Sequence, residues 1–183
     1  MEAAAAAATL QAHPRACPVS TRPLTCLLWI ALALAGCDTA VDEAAPSAAP
    51  VGTPWPEMLA AVNAARAEGA RCGDEVHPPV GPLSWNGRLE AAALQHTLDM
   101  EANDHFAHVG TDGSTPGDRA QRAGYPWHIV GENIARYQPT VEEVVEDWMA
   151  SPGHCRQIMD PAFVEMGAAE RDRYWTQVFG LPR

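Results

Sequence analysis

The hydrophobic rhythm of this chain changes along its length, and that change sets the fold class. In "PWPEMLAAVNAARAEG" (54–69), Trp55, Met58, Val62 and Ala65 recur at three- and four-residue steps, and Gly69 marks a stop. "NGRLEAAALQHTLDMEANDHF" (86–106) predicts a second helix, capped by Asn86, with Leu89, Ala93, His96 and Met100 as its apolar stripe. "STPGDRAQRAG" (114–124) predicts a short third, with Thr115 as cap and Pro116 in the first turn. "TVEEVVEDWMA" (140–150) predicts a fourth. There Thr140 and Glu143 read as a capping box, Val141, Val144, Val145 and Trp148 face inward, and the acidic residues form a solvated face. The tail differs. "FVEMGAAE" (163–170) and "YWTQVFG" (174–180) are strand-like runs joined by "RDR", a hairpin signal. "WHIVGENIA" (127–135) predicts a third strand or an irregular extended segment, and the proline-broken "CGDEVHPPVGPLSW" (72–85) predicts loop. Helices with antiparallel strands interleaved late imply an α+β layered fold, not a parallel sheet.

The first 37 residues read as an export signal. "LTCLLWIALALAGC" (24–37) is a short apolar run ending in small residues, preceded by Arg15 and Arg22. Its apolar core, Leu24 to Ala35, has 12 residues, and a spanning helix needs about 20. The ending "LAGC" resembles a bacterial lipoprotein signal, which places a lipid on Cys37; the alternative is an ordinary cleaved signal with a chance cysteine. Residues 38–54, rich in Ala, Pro and Ser, read as a tether. The folded domain is therefore expected over 55–183, exported and held to the cell envelope.

The charge excludes one class of partner. The chain carries 23 acidic and 12 basic residues, a net charge of -11. All of the basic residues are arginine and they do not cluster. Nucleic-acid binding depends on neutralising phosphate, so it is not expected.

Of the five cysteines, Cys17, Cys26 and Cys37 fall in the signal, leaving Cys72 and Cys155 in the domain. An exported pair predicts a disulfide; two free buried thiols are the alternative. The bond would close a loop of about 80 residues, worth roughly 4–5 kcal/mol in the chain-entropy model.

The candidate chemistry lies at element ends. His108 follows the second helix, Glu132 sits in "GENIA", and His154 follows the Ser-Pro-Gly break in "DWMASPGHC" (147–155). Two imidazoles and a carboxylate can hold Zn²⁺ and leave a position for water, although no pair here has a local metal spacing such as H-E-x-x-H. The ordinary readings stand beside this one: histidines bonded to backbone at helix ends, and a glutamate pairing with an arginine.

The ordered motifs "FAHVGTDGSTPGDRAQRAGY", "GENIA", "VVEDWMASPGH", "FVEMGAA" and "YWTQVFG" resemble the bacterial, SCP-like branch of the CAP superfamily. That superfamily comprises cysteine-rich secretory proteins, antigen 5 and plant pathogenesis-related proteins. The resemblance runs from about Trp55 to Gly180. It implies an α-β-α sandwich with about four helices on a three-stranded antiparallel sheet. It also implies a central cleft lined by His108, Glu132 and His154, with Ser151 standing where a second acid is expected. A hydroxyl binds a divalent metal less well than a carboxylate.

Three functions follow as expectations. The first is a binding module holding a small-molecule, lipid or protein ligand in the His/Glu cleft. The second is a zinc-dependent hydrolase using His108, Glu132 and His154, with Asp112 or Glu165 as general base. The third is a structural envelope domain whose polar cleft is a satisfied hydrogen-bond network.

Overall fold

The computed structural model describes residues 55–183. The signal, the tether and Cys37 lie outside the described residues. The elements are α1 (Trp55–Glu68), β1 (Ala70–Cys72), β2 (Glu75–His77), β3 (Ser84–Trp85), α2 (Gly87–Asn103), α3 (Pro116–Arg122), β4 (Trp127–Arg136), α4 (Val141–Ala150), α5 (Pro152–Met159), β5 (Glu165–Arg171) and β6 (Tyr174–Pro182). A sheet of order β3-β5-β6-β4 forms the centre, and β1 and β2 make a separate two-stranded ribbon.

The helices fall where the periodicity puts them, and their ends have local causes. Asn86 caps α2 by accepting from the amides of Arg88 and Leu89. The reciprocal capping box belongs to α3, between Thr115 and Asp118. At α4, Thr140 accepts from the Glu143 amide, which is one half of the box expected there. The C-terminal hairpin closes through Asp172 and Arg173, at φ 47° and 64°. Two successive left-handed residues are the geometry of a tight two-residue hairpin turn.

Three expectations are corrected. The described residues contain five helices, because Ser-Pro-Gly does not end the helical run: Ser151 ends α4 and at once begins α5. Pro152 suits the first turn of α5, where its missing N–H costs nothing. The sheet has four strands, because Ser84 and Trp85 add to β5 in parallel, so it is not wholly antiparallel. The proline-rich stretch 72–85, expected as loop throughout, also contributes to the β1–β2 ribbon.

Alternation along β6 assigns the two faces of the sheet. Trp175 and Phe179 join Met58, Val62, Trp148, Ile158 and Met159 in the larger core, beneath α1, α4 and α5. Val178 joins Leu89, Ala92, Ala93, Ala120 and Tyr125 beneath α2 and α3. On that side the Thr97 hydroxyl donates to Thr176 Oγ1 at 2.9 Å. The alanines let α2 lie close to the sheet, and Gly167 completes the approach: a Cβ there would collide with the backbone of Leu89 and Glu90.

Cys72 and Cys155 form a disulfide, as expected, with Cα atoms 5.4 Å apart across 83 residues of sequence. It joins β1 to α5, and both cysteines are fully buried. The buried Arg66 reaches from α1 to the end of the same helix, α5. Its Nε donates to Gly81 O at 2.7 Å and its Nη1 to Ile158 O and Asp160 O at 2.6 and 3.0 Å. Its Nη2 donates to Phe163 O at 3.3 Å. A guanidinium on the last carbonyls of α5 caps that helix and opposes the negative end of its dipole.

Candidate functional site

Glu132 sits on β4, an edge strand opposite Val178 of β6. Alternation turns its side chain to the α2–α3 face, where it is 5% exposed. A carboxylate buried that deeply must be paired. Arg119 Nη2 donates to Oε2 at 2.7 Å, and His108 Nδ1 lies 2.9 Å from Oε1. Arg119 comes from the capped helix α3. Its Nη1 also donates to Ser114 O at 2.8 Å and its Nη2 to His108 O at 2.9 Å. One guanidinium therefore holds both the acid and the backbone of the histidine that touches the acid. Because Glu132 accepts, His108 Nδ1 carries the proton of that bond, and Nε2 is the free ring nitrogen. The His108 side chain is 51% exposed, so this nitrogen belongs to the open side.

His96 completes the cluster from α2, with Nε2 3.8 Å from Glu132 Oε1. The same nitrogen is 2.9 Å from Ala107 O, a group that only accepts, so Nε2 holds the proton. Burial lowers the pKa of His96, more than the neighbouring Glu132 raises it, and the ring is held neutral.

His154 arrives from the opposite layer, in the first turn of α5. The next residue of β4, Asn133, points that way, and its Nδ2 donates to His154 O at 3.3 Å and to Gln177 Oε1 at 3.2 Å. Burial lowers the pKa of the His154 ring, and the nearby His108 lowers it further. The two histidines thus come from opposite layers and lie within electrostatic range of each other. Only His108 bonds Glu132.

Along that edge runs a cavity of about 300 Å³, lined by Phe106, Ile134, Ala135, Arg136, Tyr137, Gln138, Asp147, Trp148, Ser151 and His154. Its rim is aromatic: the Arg136 guanidinium carbon lies 4.8 Å from the Phe106 ring centre and 4.9 Å from that of Tyr137. Tyr137 is held at φ 87°, a conformation that side chains other than glycine rarely adopt. Strain of this kind persists where the surroundings impose it, and it collects at binding sites. At the polar end, Ser151 makes no side-chain capping bond, so its hydroxyl is not consumed by the helix it starts.

The zinc expectation meets a donor set that does not fit it. Among the described residues no group of three His, Cys, Asp or Glu side chains is arranged to hold a metal ion. Both Glu132 oxygens already accept a hydrogen bond, one from Arg119 and one from His108. The two candidate bases are also committed. Asp112 is held by the Ser114 hydroxyl, Arg122 and the Ser114 amide, which keep its carboxyl well below the usual range. Glu165 accepts from the Tyr125 hydroxyl at 2.7 Å and from Asn86 Nδ2 at 3.1 Å.

Two members of the cluster do not stand out in the sequence as site residues. His96 reads as part of an apolar stripe, and in burial it is one; nothing in its spacing shows a carboxylate 36 positions away in the chain. Arg119 is one of several arginines in helical sequence. The ordinary reading of Glu132, pairing with an arginine, is the available signal, and it holds.

The model of the cysteine-rich secretory protein family, CAP, matches residues 59–179. The Bacillus subtilis protein YkwD is 36% identical over 100 residues, spanning 54% of this chain and 39% of its own length. An extracellular SCP-domain protein of Bacillus anthracis superposes with a TM-score of 0.54 at 30% identity, over 55% of this chain and 34% of that one. An outer surface protein of Borrelia burgdorferi shares the fold, at a TM-score of 0.52 and 20% identity, over 57% of this chain and 80% of its own. The chain thus spans well under half of the Bacillus proteins it matches. With the family model matching more than half of the chain and most of the described fold, this chain belongs to the cysteine-rich secretory protein (CAP) family.

Proposed function

We propose that the protein is an exported, lipid-anchored binding module of the cell envelope, whose cleft along β4 holds a ligand or partner. The observation that carries this reading is the combination at that edge. An apolar floor of Ile134, Ala135 and Trp148 meets an aromatic rim and a polar end at Ser151 and His154. Ligand sites have this character: apolar walls with a few convergent polar groups. The clamp of Arg119 on Glu132 and His108 supports it, since it fixes one wall before any ligand arrives and so lowers the ordering cost of binding. Export rests on the apolar run and agrees with an extracellular relative in Bacillus anthracis; anchoring rests on Cys37 alone. A zinc-dependent hydrolase has less support, because no group of three metal-ligating side chains is arranged to hold an ion among the described residues. The structural-domain reading has less support because the cleft is open and strained at its rim.

A fluorescence titration with anilinonaphthalene sulfonate tests the cleft, since the probe joins an apolar ring system to an anion that Arg136 would attract. Saturable enhancement that weakens in both Tyr137→Ala and His154→Ala is expected. Enhancement identical in all three proteins, or none at all, rejects the site. For the anchor, Cys37→Ala should move the protein from the detergent phase to the aqueous phase on partitioning. Retention in the detergent phase would mean that another segment holds it there.

A further inference from the structure

On the α2–α3 side of Glu132 lies a second, more enclosed cavity of about 130 Å³, lined by Gln95, His96, Asp99, Asp112, Ser114 and Arg119. Two of its lining side chains carry a polar atom with no hydrogen-bond partner in the protein: His96 Nδ1 and Arg119 Nε. These residues are 0% and 1% exposed. Buried polar atoms left alone are costly and uncommon. Their needs are opposite. His96 places its proton on Nε2, toward Ala107 O, so Nδ1 is a lone pair seeking a donor. Arg119 Nε is always an N–H and seeks an acceptor.

An occupant that serves both must donate at one end and accept at the other. The carboxylates of Asp99 and Asp112 in the wall disfavour an anion, and the Arg119 guanidinium disfavours a cation. The occupant is therefore neutral and small. At about 30 Å³ per molecule in the liquid, the space admits only a few waters. We propose that this cavity is a water-binding site in which an ordered water, or a short chain of two, accepts from Arg119 Nε and donates to His96 Nδ1. It is a positioning device for the cleft. Arg119 already holds Glu132 Oε2 and His108 O, and Glu132 holds the His108 ring. The water satisfies the remaining guanidinium donor, and a buried ion pair is held firmly only when its other donors and acceptors are met.

The test uses the unaltered protein. A high-resolution crystal structure should show water about 2.7–3.2 Å from both atoms, directly or through one further water. ¹⁵N spectra should show His96 as the Nε2-protonated tautomer, with Nδ1 shifted as a hydrogen-bond acceptor. Either no solvent density at these atoms, or both atoms paired with protein groups, overturns the proposal. So does an Nδ1-protonated His96. In His96→Leu the water nearest residue 96 should be lost while the Arg119–Glu132 contact remains. The same water at the same place in that variant would also overturn it, and if the variant does not fold, the spectra and density of the unaltered protein decide.

Discussion

Among the described residues two arginines are buried, one on each face of the sheet, and they are held in different ways. Arg66, under the larger core, donates only to main-chain carbonyls and joins α1 to the end of α5. Arg119, under the alanine-rich face, shares its donors between carbonyls, a serine hydroxyl and the carboxylate of Glu132. Both are about 1% exposed. The first arrangement is a staple, because every acceptor it uses is backbone fixed by the fold. The second is a clamp on a side chain, and that side chain in turn orients a half-exposed histidine. One face is built for rigidity and the other carries the polar network beside the cleft.

The largest expected effect lies on the stapled face. Replacing both cysteines by alanine opens a loop of 83 residues of sequence, which should cost about 4–5 kcal/mol in the chain-entropy model. Urea unfolding of the double variant against the parent measures it. If the two faces are independent, the tautomer of His108 should not change at the same time. A changed tautomer would show that the staple also sets the cleft.

Nearly as large is the effect of breaking the clamp. Arg119→Met leaves Glu132 buried without its cation, which should cost about 3–5 kcal/mol. The diagnostic is the rescue: Arg119→Met with Glu132→Leu should be more stable than Arg119→Met alone, since no uncompensated charge remains. Arg66→Met should have no such partner, because removing any single acceptor side chain leaves its carbonyl acceptors in place. Chemical denaturation of the three variants against the parent decides, and an Arg119 double variant less stable than the single would contradict the clamp.

These contrasts also show what is readable in the chain itself. The helices carry their own signals, in the stripe of Leu89, Ala93 and Met100 and in the caps at Asn86 and Thr115, so they fall close to their expected places. The C-terminal hairpin is legible for the same reason. The fifth helix is not, because Ser-Pro-Gly serves equally as a stop and as a start, and only packing of Cys155, Ile158 and Met159 into the core selects the start. The two-residue strand at Ser84 has no periodicity of its own; β5 supplies its order through Glu165 and Met166. At the site, His108 stands out as a polar residue beyond a helix end; Glu132 is legible from the GENIA motif, but it lies within β4 and not at the element end expected for it. His96 and Arg119 do not stand out, since their roles arise from tertiary distances to Glu132 that no local pattern encodes.

A third contrast appears in pH. Burial lowers the pKa of His96 and His154 below the ordinary 6.5. The unfolded chain then binds more protons than the folded one as pH falls through that value. Stability from the neutral rings is complete above about pH 6.5 and is lost progressively below it. Asp99, Asp112 and Asp118 behave as depressed carboxylates. At Asp99 burial works against ionisation, and the hydrogen bonds from Thr111 outweigh it. At Asp112 the bonds from Ser114 and Arg122 dominate, and at Asp118 those from Thr115. Their contribution is complete above about pH 4 and is lost at lower pH. Thermal melts should therefore show two acid steps, with His96→Leu reducing only the first. A first step unchanged in that variant would assign it to other histidines.

The smallest effect separates two helix starts that look alike in sequence. Thr115 and Ser151 are both hydroxyl residues directly before a proline. Thr115 accepts from the Asp118 amide and takes part in a reciprocal box, whereas Ser151 makes no side-chain capping bond. Thr115→Ala should cost about 1 kcal/mol, and Ser151→Ala no more than a few tenths. Because the Ser151 hydroxyl lines the cavity beside His154, its removal should instead weaken probe binding in the fluorescence titration. A Ser151→Ala variant that loses stability like Thr115→Ala while binding the probe as the parent does would place the hydroxyl in the fold and not in the cleft.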